Sequence, residues 1–147
     1  MSDEIVQQLA AECLAGRVRT LNRVVSGIFD AKLRPYGIRS SQINILTVVA
    51  ARGPLAPSMV CRRLRLEKST LSRDLERLVE HGWIRSTPGS GRSLSLEATA
   101  VGRALLHKVK PAWDEAQAEI EKLLGGAFIQ ELHRVIDEGR LEETETR

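Results

Sequence analysis

The sequence predicts a mostly α-helical fold carrying one small β-hairpin, on three observations. Apolar residues recur with helical spacing through six stretches of the 147-residue chain. Aromatic residues are only 3% of a chain that is 42% apolar, so the interior is built mainly from Leu, Ile, Val and Ala, a composition suited to helix-on-helix packing. Alternating residues flank only the Gly-rich segment Pro88-Gly89-Ser90-Gly91. A chain of this length makes one compact domain, alone or with helical extensions.

Over residues 5–34, Leu9, Cys13, Val18, Leu21, Val24, Val25, Ile28, Phe29 and Leu33 keep a helical period. They predict one long helix, bent near Gly16 or Gly27 and ended by Pro35 and Gly37. A second helix is expected over Ser40–Arg52, N-capped by Ser40, packing through Ile43, Leu46, Thr47 and Ala50, and stopped by Gly53-Pro54. Pro57 suits a first helical turn and opens a short helix through Met59, Val60 and Leu64. Arg65-Leu66 then turns the chain into the next one.

Residues 66–82 sort by helical face. Leu71, Leu75, Leu78 and Val79 fall at i, i+4, i+7 and i+8, the period of a half-buried helix, and Gly82 stands where a left-handed stop is expected. The opposite face carries Ser69, Thr70, Ser72, Arg73 and Arg77. Short hydroxyls near a helix N-terminus permit close approach to phosphate, and Arg can fork onto both acceptors of a guanine edge. These properties describe a recognition helix. A plainer reading of the same residues has Ser69 or Thr70 capping the helix and Arg73 with Arg77 pairing to Glu76 or Glu80.

Trp83-Ile84-Arg85-Ser86-Thr87 and Arg92-Ser93-Leu94-Ser95-Leu96 then form the hairpin, with Ser90, Gly91 and Arg92 at its tip and Arg92 placed to reach a groove or a phosphate. Over residues 99–124 a long amphipathic helix is marked by Leu105, Leu106, Val109, Trp113, Ala116, Ile120, Leu123 and Leu124, with Pro111 as an expected bend. Gly125-Gly126 ends it. A last helix over residues 127–141 carries Phe128, Ile129, Leu132, Val135 and Ile136, and residues 142–147 form a charged tail expected to fray.

The net charge is only +3, but the charges are segregated. Residues 52–110 hold 12 basic and 5 acidic side chains, whereas residues 111–147 hold 4 and 10. The middle of the chain is therefore the part suited to a polyanion. Cys13 and Cys61 are too few and too far apart for a metal cluster, and His81, His107 and His133 form no ligand pair. No Gly-rich phosphate loop and no nucleophile with a base at a telling spacing is present, which argues against an enzyme. The acidic start Met1-Ser2-Asp3-Glu4 lacks a signal peptide's basic and apolar segments, and no run of eighteen apolar residues occurs, so a cytoplasmic protein without a membrane partner is expected.

The chain resembles the MarR family of bacterial transcription regulators, winged helix-turn-helix homodimers. The resemblance rests on Tyr36-Gly37-Ile38 followed by Gln42, on Gly53-Pro54-Leu55, and on the run Ser69-Thr70-Leu71-Ser72-Arg73 through Leu78 to Gly82-Trp83-Ile84, and it spans nearly the whole chain. It implies a mostly α fold in which residues 1–36 and 111–147 form a helical dimerisation region around a winged helix-turn-helix region, residues 37–110, whose hairpin is the wing. It implies a homodimeric, sequence-specific regulator of a palindromic operator in double-stranded DNA, a repressor released by a small-molecule effector held in a crevice between the dimer helices and the DNA-binding lobe, with no cofactor.

Carried over residue by residue, Ser69, Thr70, Ser72 and Arg73 would line the major groove, with Lys68 beside them at the helix start. Arg77 and Ser58 would serve phosphates, and Ser90, Gly91 and Arg92 would form the wing tip. Three positions depart from the family pattern. Ser90 stands where an aspartate usually pairs with the wing arginine, so a flexible wing is expected. Ala56 precedes Pro57 where a polar cap is usual, at a cost of about 1 kcal/mol, and Ala98 replaces a leucine before Thr99. Cys61 falls at a core-packing position. Some family members sense oxidants through an N-terminal cysteine, and Cys13 is the corresponding candidate: Arg17 one turn on would favour its thiolate, Glu12 would oppose it, and the tyrosines that assist such cysteines are missing. A thiol switch through Cys13 and a winged-helix module that docks protein are the alternatives to a ligand-released repressor.

Overall fold

The computed structural model describes residues 2–139. Two helices open the chain, α1 (Ser2–Glu12) and α2 (Leu14–Leu33). The single long helix expected here is broken, at Cys13 and not at either glycine. Cys13 has an extended backbone (φ −64°, ψ 102°), and its Sγ accepts a hydrogen bond from the Gly16 N–H at 3.4 Å. It thus serves as the N-cap of α2, taking up an amide that the first helical turn leaves orphaned. Arg17 reaches back across the break, its Nε donating to the Ala11 carbonyl oxygen at 3.1 Å.

A 3₁₀ turn over Arg34–Tyr36 closes on Gly37, whose φ of 72° is the left-handed conformation that glycine adopts without strain. The next helix, α3 (Ser40–Arg52), is N-capped by Arg39; Ser40 is already its first helical residue. Its free amides are met by side chains: the Ser40 N–H donates to Asp30 Oδ1 (2.7 Å) and the Arg39 N–H to Gln42 Oε1 (3.1 Å). Helix α3 is the centre of the molecule. Ile43, Ile45, Leu46 and Val49 are buried, whereas Thr47, expected to pack, is exposed. Neighbours on several sides enclose the helix, so its apolar arc is wider than a single stripe and shifted toward Ile45 and Val49.

Helix α4 (Pro57–Leu64) has the eight-residue length the sequence predicts, and Arg65, in the left-handed region (φ 50°), turns the chain into α5 (Lys68–Glu80). In α5, Leu71 and Leu78 are buried, but Val79 is 39% exposed. At about 100° per residue, Val79 lies about 80° round from Leu71 and Leu78 only about 20°, so Val79 is the edge of the arc. The hairpin pairs β1 (Ile84–Pro88) with β2 (Leu94–Ala98) in antiparallel register, Ser86 opposite Leu96. On the other side of β2, Leu55 adds an isolated antiparallel bridge, exchanging both backbone hydrogen bonds with Leu96 (3.0 and 2.8 Å). That contact explains Gly53-Pro54-Leu55: a Cβ on Gly53 would lie 2.5 Å from the Val49 carbonyl oxygen and 3.2 Å from that of Leu96.

Helix α6 (Ala100–Leu124) runs on through Pro111 and is capped by Thr99, whose Oγ1 accepts from the Gly102 N–H at 3.0 Å and donates to the Gly82 carbonyl oxygen at 2.5 Å. Gly125 (φ 83°) leads into α7 (Gly126–Asp137). Helix α7 ends at Asp137, short of the expected end at Leu141, with Glu138 as its C-cap and Gly139 left-handed (φ 70°); residues 140–147, with the charged tail, lie outside the described residues. Helices α2 and α6 pack together, joined by the Phe29–Trp113 ring contact (6.3 Å) and the Lys32–Glu115 ion pair (3.3 Å). The main core cluster draws only on Leu33 to Val109. Outside it, Ile5, Val6, Leu9, Leu14 and Val18 on the N-terminal helices, and Leu123, Phe128, Leu132 and Ile136 near the other end, stay exposed.

Candidate nucleic-acid interface

Helix α5 is held from behind and open in front. Leu71 and Leu78 anchor it in the core, while Lys68, Ser69, Ser72, Arg73 and Arg77 are exposed and Thr70 is half-buried. Gln42, buried to 4% exposure, adds a polar tie, its Nε2 donating to Asp74 Oδ1 at 3.5 Å. Sequence reasoning placed Gln42 in a motif without a role. The signal that could have found it is a lone amide among the apolar positions of α3.

The plainer reading of these residues does not match the geometry. The N-cap of α5 is Glu67, so neither Ser69 nor Thr70 caps the helix. Among the described residues Arg73 and Arg77 form no ion pair with Glu76 or Glu80, which leaves both guanidinium groups available to an outside partner. Ser58 is exposed on the first turn of α4, behind Ala56, which makes no side-chain cap bond.

At the hairpin tip, Ser90, Gly91 and Arg92 are all exposed, and Gly91 takes the left-handed conformation (φ 63°). Without the aspartate, the tip is closed by a residue the sequence reading passed over. Ser93 Oγ donates to the Ser90 carbonyl oxygen at 2.7 Å, and the Gly89 N–H donates to the Ser93 carbonyl oxygen at 2.8 Å. The i to i−3 spacing of a serine after a Gly-Arg pair was the available signal. These bonds brace the turn without engaging Arg92, which has no ion pair among the described residues. Arg85 and Glu97, opposite one another in the ladder, pair at 2.7 Å and stiffen the base.

Cys13 is exposed and Cys61 half-buried against the core. Arg17, expected to sit against the Cys13 thiol, is instead engaged by the Ala11 carbonyl. His81 stacks on Trp83, ring centroids 4.3 Å apart, while His107 and His133 are exposed. Between α2, α6 and the front of α3 lies a cavity of about 380 Å³ with Asn22, Phe29, Asn44, Leu66 and Trp113 in its wall. Its lining is mixed, amides and hydroxyls making up nearly half of the side chains and apolar groups the rest. No described helix is long and apolar enough to cross a membrane.

Residues 36–93 match the model of the MarR family. The chain is similar to the HTH-type transcriptional regulator PecS of Dickeya dadantii, 30% identical over 111 residues that cover 70% of this chain and 67% of that protein. Among solved structures it is similar to the transcriptional regulator MosR of M. tuberculosis, at 30% identity and a TM-score of 0.77 over 90% of this chain and 97% of that one. MosR in complex with DNA superposes as well, at 29% identity and a TM-score of 0.77 over 92% of this chain and 100% of that one. The same fold recurs in a Mycobacterium tuberculosis MarR family protein solved with p-aminosalicylic acid, 21% identical, with a TM-score of 0.64 over 85% of this chain and 96% of that one.

Proposed function

The chain belongs to the MarR family of transcriptional regulators, and we propose that it acts in the cytoplasm as a homodimeric repressor of a palindromic operator, released when a small molecule fills the crevice beside Trp113. The observation that carries the proposal is the division of α5 into a core-anchored face and an exposed face whose Arg73 and Arg77 have no ion pair among the described residues. Ser69, Thr70, Ser72 and Arg73 read base edges, with Lys68 at their side, while Arg77 and Ser58 hold phosphates. Ser90, Gly91 and Arg92 enter the flanking minor groove, the braced turn presenting Arg92 outward.

Dimerisation uses residues 1–36 and 111–147, and the lobe between them, residues 37–110, carries the DNA contacts. The exposed apolar residues of α1, α2, α6 and α7 support this division, since burying such a surface is the main drive to association. The effector acts only if it binds one spacing of the two recognition helices better than the other. The crevice lies between arm helices and α3, so its occupant bears on that spacing.

Fluorescence anisotropy on a selected operator tests the contacts. Arg73→Ala is expected to weaken operator binding by about 1 to 3 kcal/mol and relax base preference, whereas Arg77→Ala weakens binding to all duplexes and flattens the salt dependence. Unchanged binding by Arg73→Ala would overturn the assignment.

Cys13 supports a second reading, a thiol switch, because its exposed Sγ holds the N-terminus of α2 where α1 breaks away. Peroxide would oxidise the thiol to a sulfenic acid, releasing water, and the added oxygen would alter the bond from the Gly16 N–H and the geometry of that cap. Peroxide is then expected to lower the DNA affinity of the wild type and leave that of Cys13→Ser unaffected, serine keeping a cap acceptor; equal responses remove Cys13 from the mechanism.

A further inference from the structure

We propose that the cleft beside the C-terminal end of α5 is a binding site for one phosphate-class oxyanion. Six polar residues from four segments line it: Asp30 of α2, Arg34 of the 3₁₀ turn, Arg39 and Gln42 at the start of α3, and Arg77 and His81 at the end of α5. Its volume is about 380 Å³, ample for a hydrated phosphate. The charge is one-sided, three arginines facing a single carboxylate. That carboxylate is already engaged, Asp30 Oδ1 accepting from the Ser40 N–H at 2.7 Å. Gln42 is engaged too, at Arg39 and Asp74.

Among the described residues Arg34, Arg39 and Arg77 form no ion pair. Elsewhere the surface cations Lys32, Arg85, Lys110 and Arg134 each meet a carboxylate. Arg73 and Arg92 also lack an ion pair among the described residues, but Arg34, Arg39 and Arg77 share one concavity, where their like charges raise the local positive potential. Guanidinium donors match the oxygens of phosphate, and arginines from three separate segments suit a compact tetrahedral anion better than a flat apolar molecule. Among the lining residues Ile38 is the only aliphatic one.

The oxyanion has two possible sources: a backbone phosphate of the duplex that α5 enters, or a free phosphate or phosphorylated small molecule. The duplex source rests on the reading of α5 given above; the free source does not. Because Arg77 belongs to both the cleft and the proposed phosphate contacts, a free anion in the cleft opposes DNA binding.

The test uses the full chain and the double variant Arg34→Gln/Arg39→Gln, with Arg34→Lys/Arg39→Lys as a charge-retaining control. The Gln substitutions leave the Arg39 main-chain amide in place. If the duplex supplies the anion, the double Gln variant shows a log–log salt slope shallower by about 1 on operator and random DNA alike, and the Lys pair recovers most of it. If the anion is free, inorganic phosphate at constant ionic strength raises the melting temperature of the wild type saturably and competes with DNA. Both effects are then lost in the Gln variant. A wild-type slope together with an unchanged response to phosphate overturns the site. Arg73→Ala separates the two readings: if it loses operator preference while the Gln variant behaves as wild type in both arms, only the anion site fails. If the wild type binds no duplex, the regulator reading fails and the phosphate arm alone decides the cleft.

Discussion

At Gly102 the fold leaves no room for one added carbon: a Cβ there would stand 2.1 Å from the Trp83 carbonyl oxygen. The first turn of α6 lies directly on the strand entering the hairpin, and Thr99 ties the same two segments through its hydroxyl. Gly102→Ala is accordingly expected to destabilise the protein by about 1 to 3 kcal/mol or more, because rigid backbone must shift on both sides; a lowered urea midpoint at unchanged m-value checks it. In the sequence Gly102 looks like an ordinary helix glycine, since a close approach of two distant segments leaves no local mark. Thr99 was placed at the start of the helix but not read as its cap, although a short hydroxyl before an apolar helical period is an N-cap signal. Cys13 carried no such signal, because a thiol is an uncommon cap and the periodicity runs through it unbroken.

The recognition helix was the most legible element, its apolar and polar faces separated by the 3.6-residue period over residues 66–82. Only Val79 fell on the wrong side, at the rim of the arc, where period alone does not say how far the neighbours extend. Helix α3 was harder. Several elements enclose it, so Thr47 and Val49 could not be ranked from spacing. At the wing the usual salt bridge is missing, and a local hydroxyl, Ser93 Oγ, bonds across the turn to the Ser90 carbonyl oxygen. Ser93→Ala removes that bond and keeps the strand register. It is expected to weaken DNA binding a few-fold, by less than about 1.5 kcal/mol, with little change in melting temperature. Anisotropy paired with calorimetry checks it, and an affinity equal to wild type would show that the brace does not position Arg92.

The exposed apolar residues at both ends of the molecule are the surface that the proposed dimer would bury. Leu132, 46% exposed on α7, borders the same apolar groove as Val18, Leu21 and Ile120. Leu132→Glu is expected to yield monomers by sedimentation and to weaken binding to a two-half-site operator about 100-fold or more, since each half-site is then bound singly. A dimer of wild-type affinity would place the interface elsewhere. What the sequence by itself determined was whatever is encoded over short range: helix periods, turn glycines, the hydroxyl-and-arginine face of α5 and the basic middle of the chain. Tertiary structure alone decided the clamp between Gly102 and Trp83, the rung between Leu55 and Leu96, the tie from Gln42 to Asp74, and the gathering of Arg34, Arg39 and Arg77 at one cleft. Each of these joins residues far apart in the chain, and local spacing carries no information about which distant backbone will close against it.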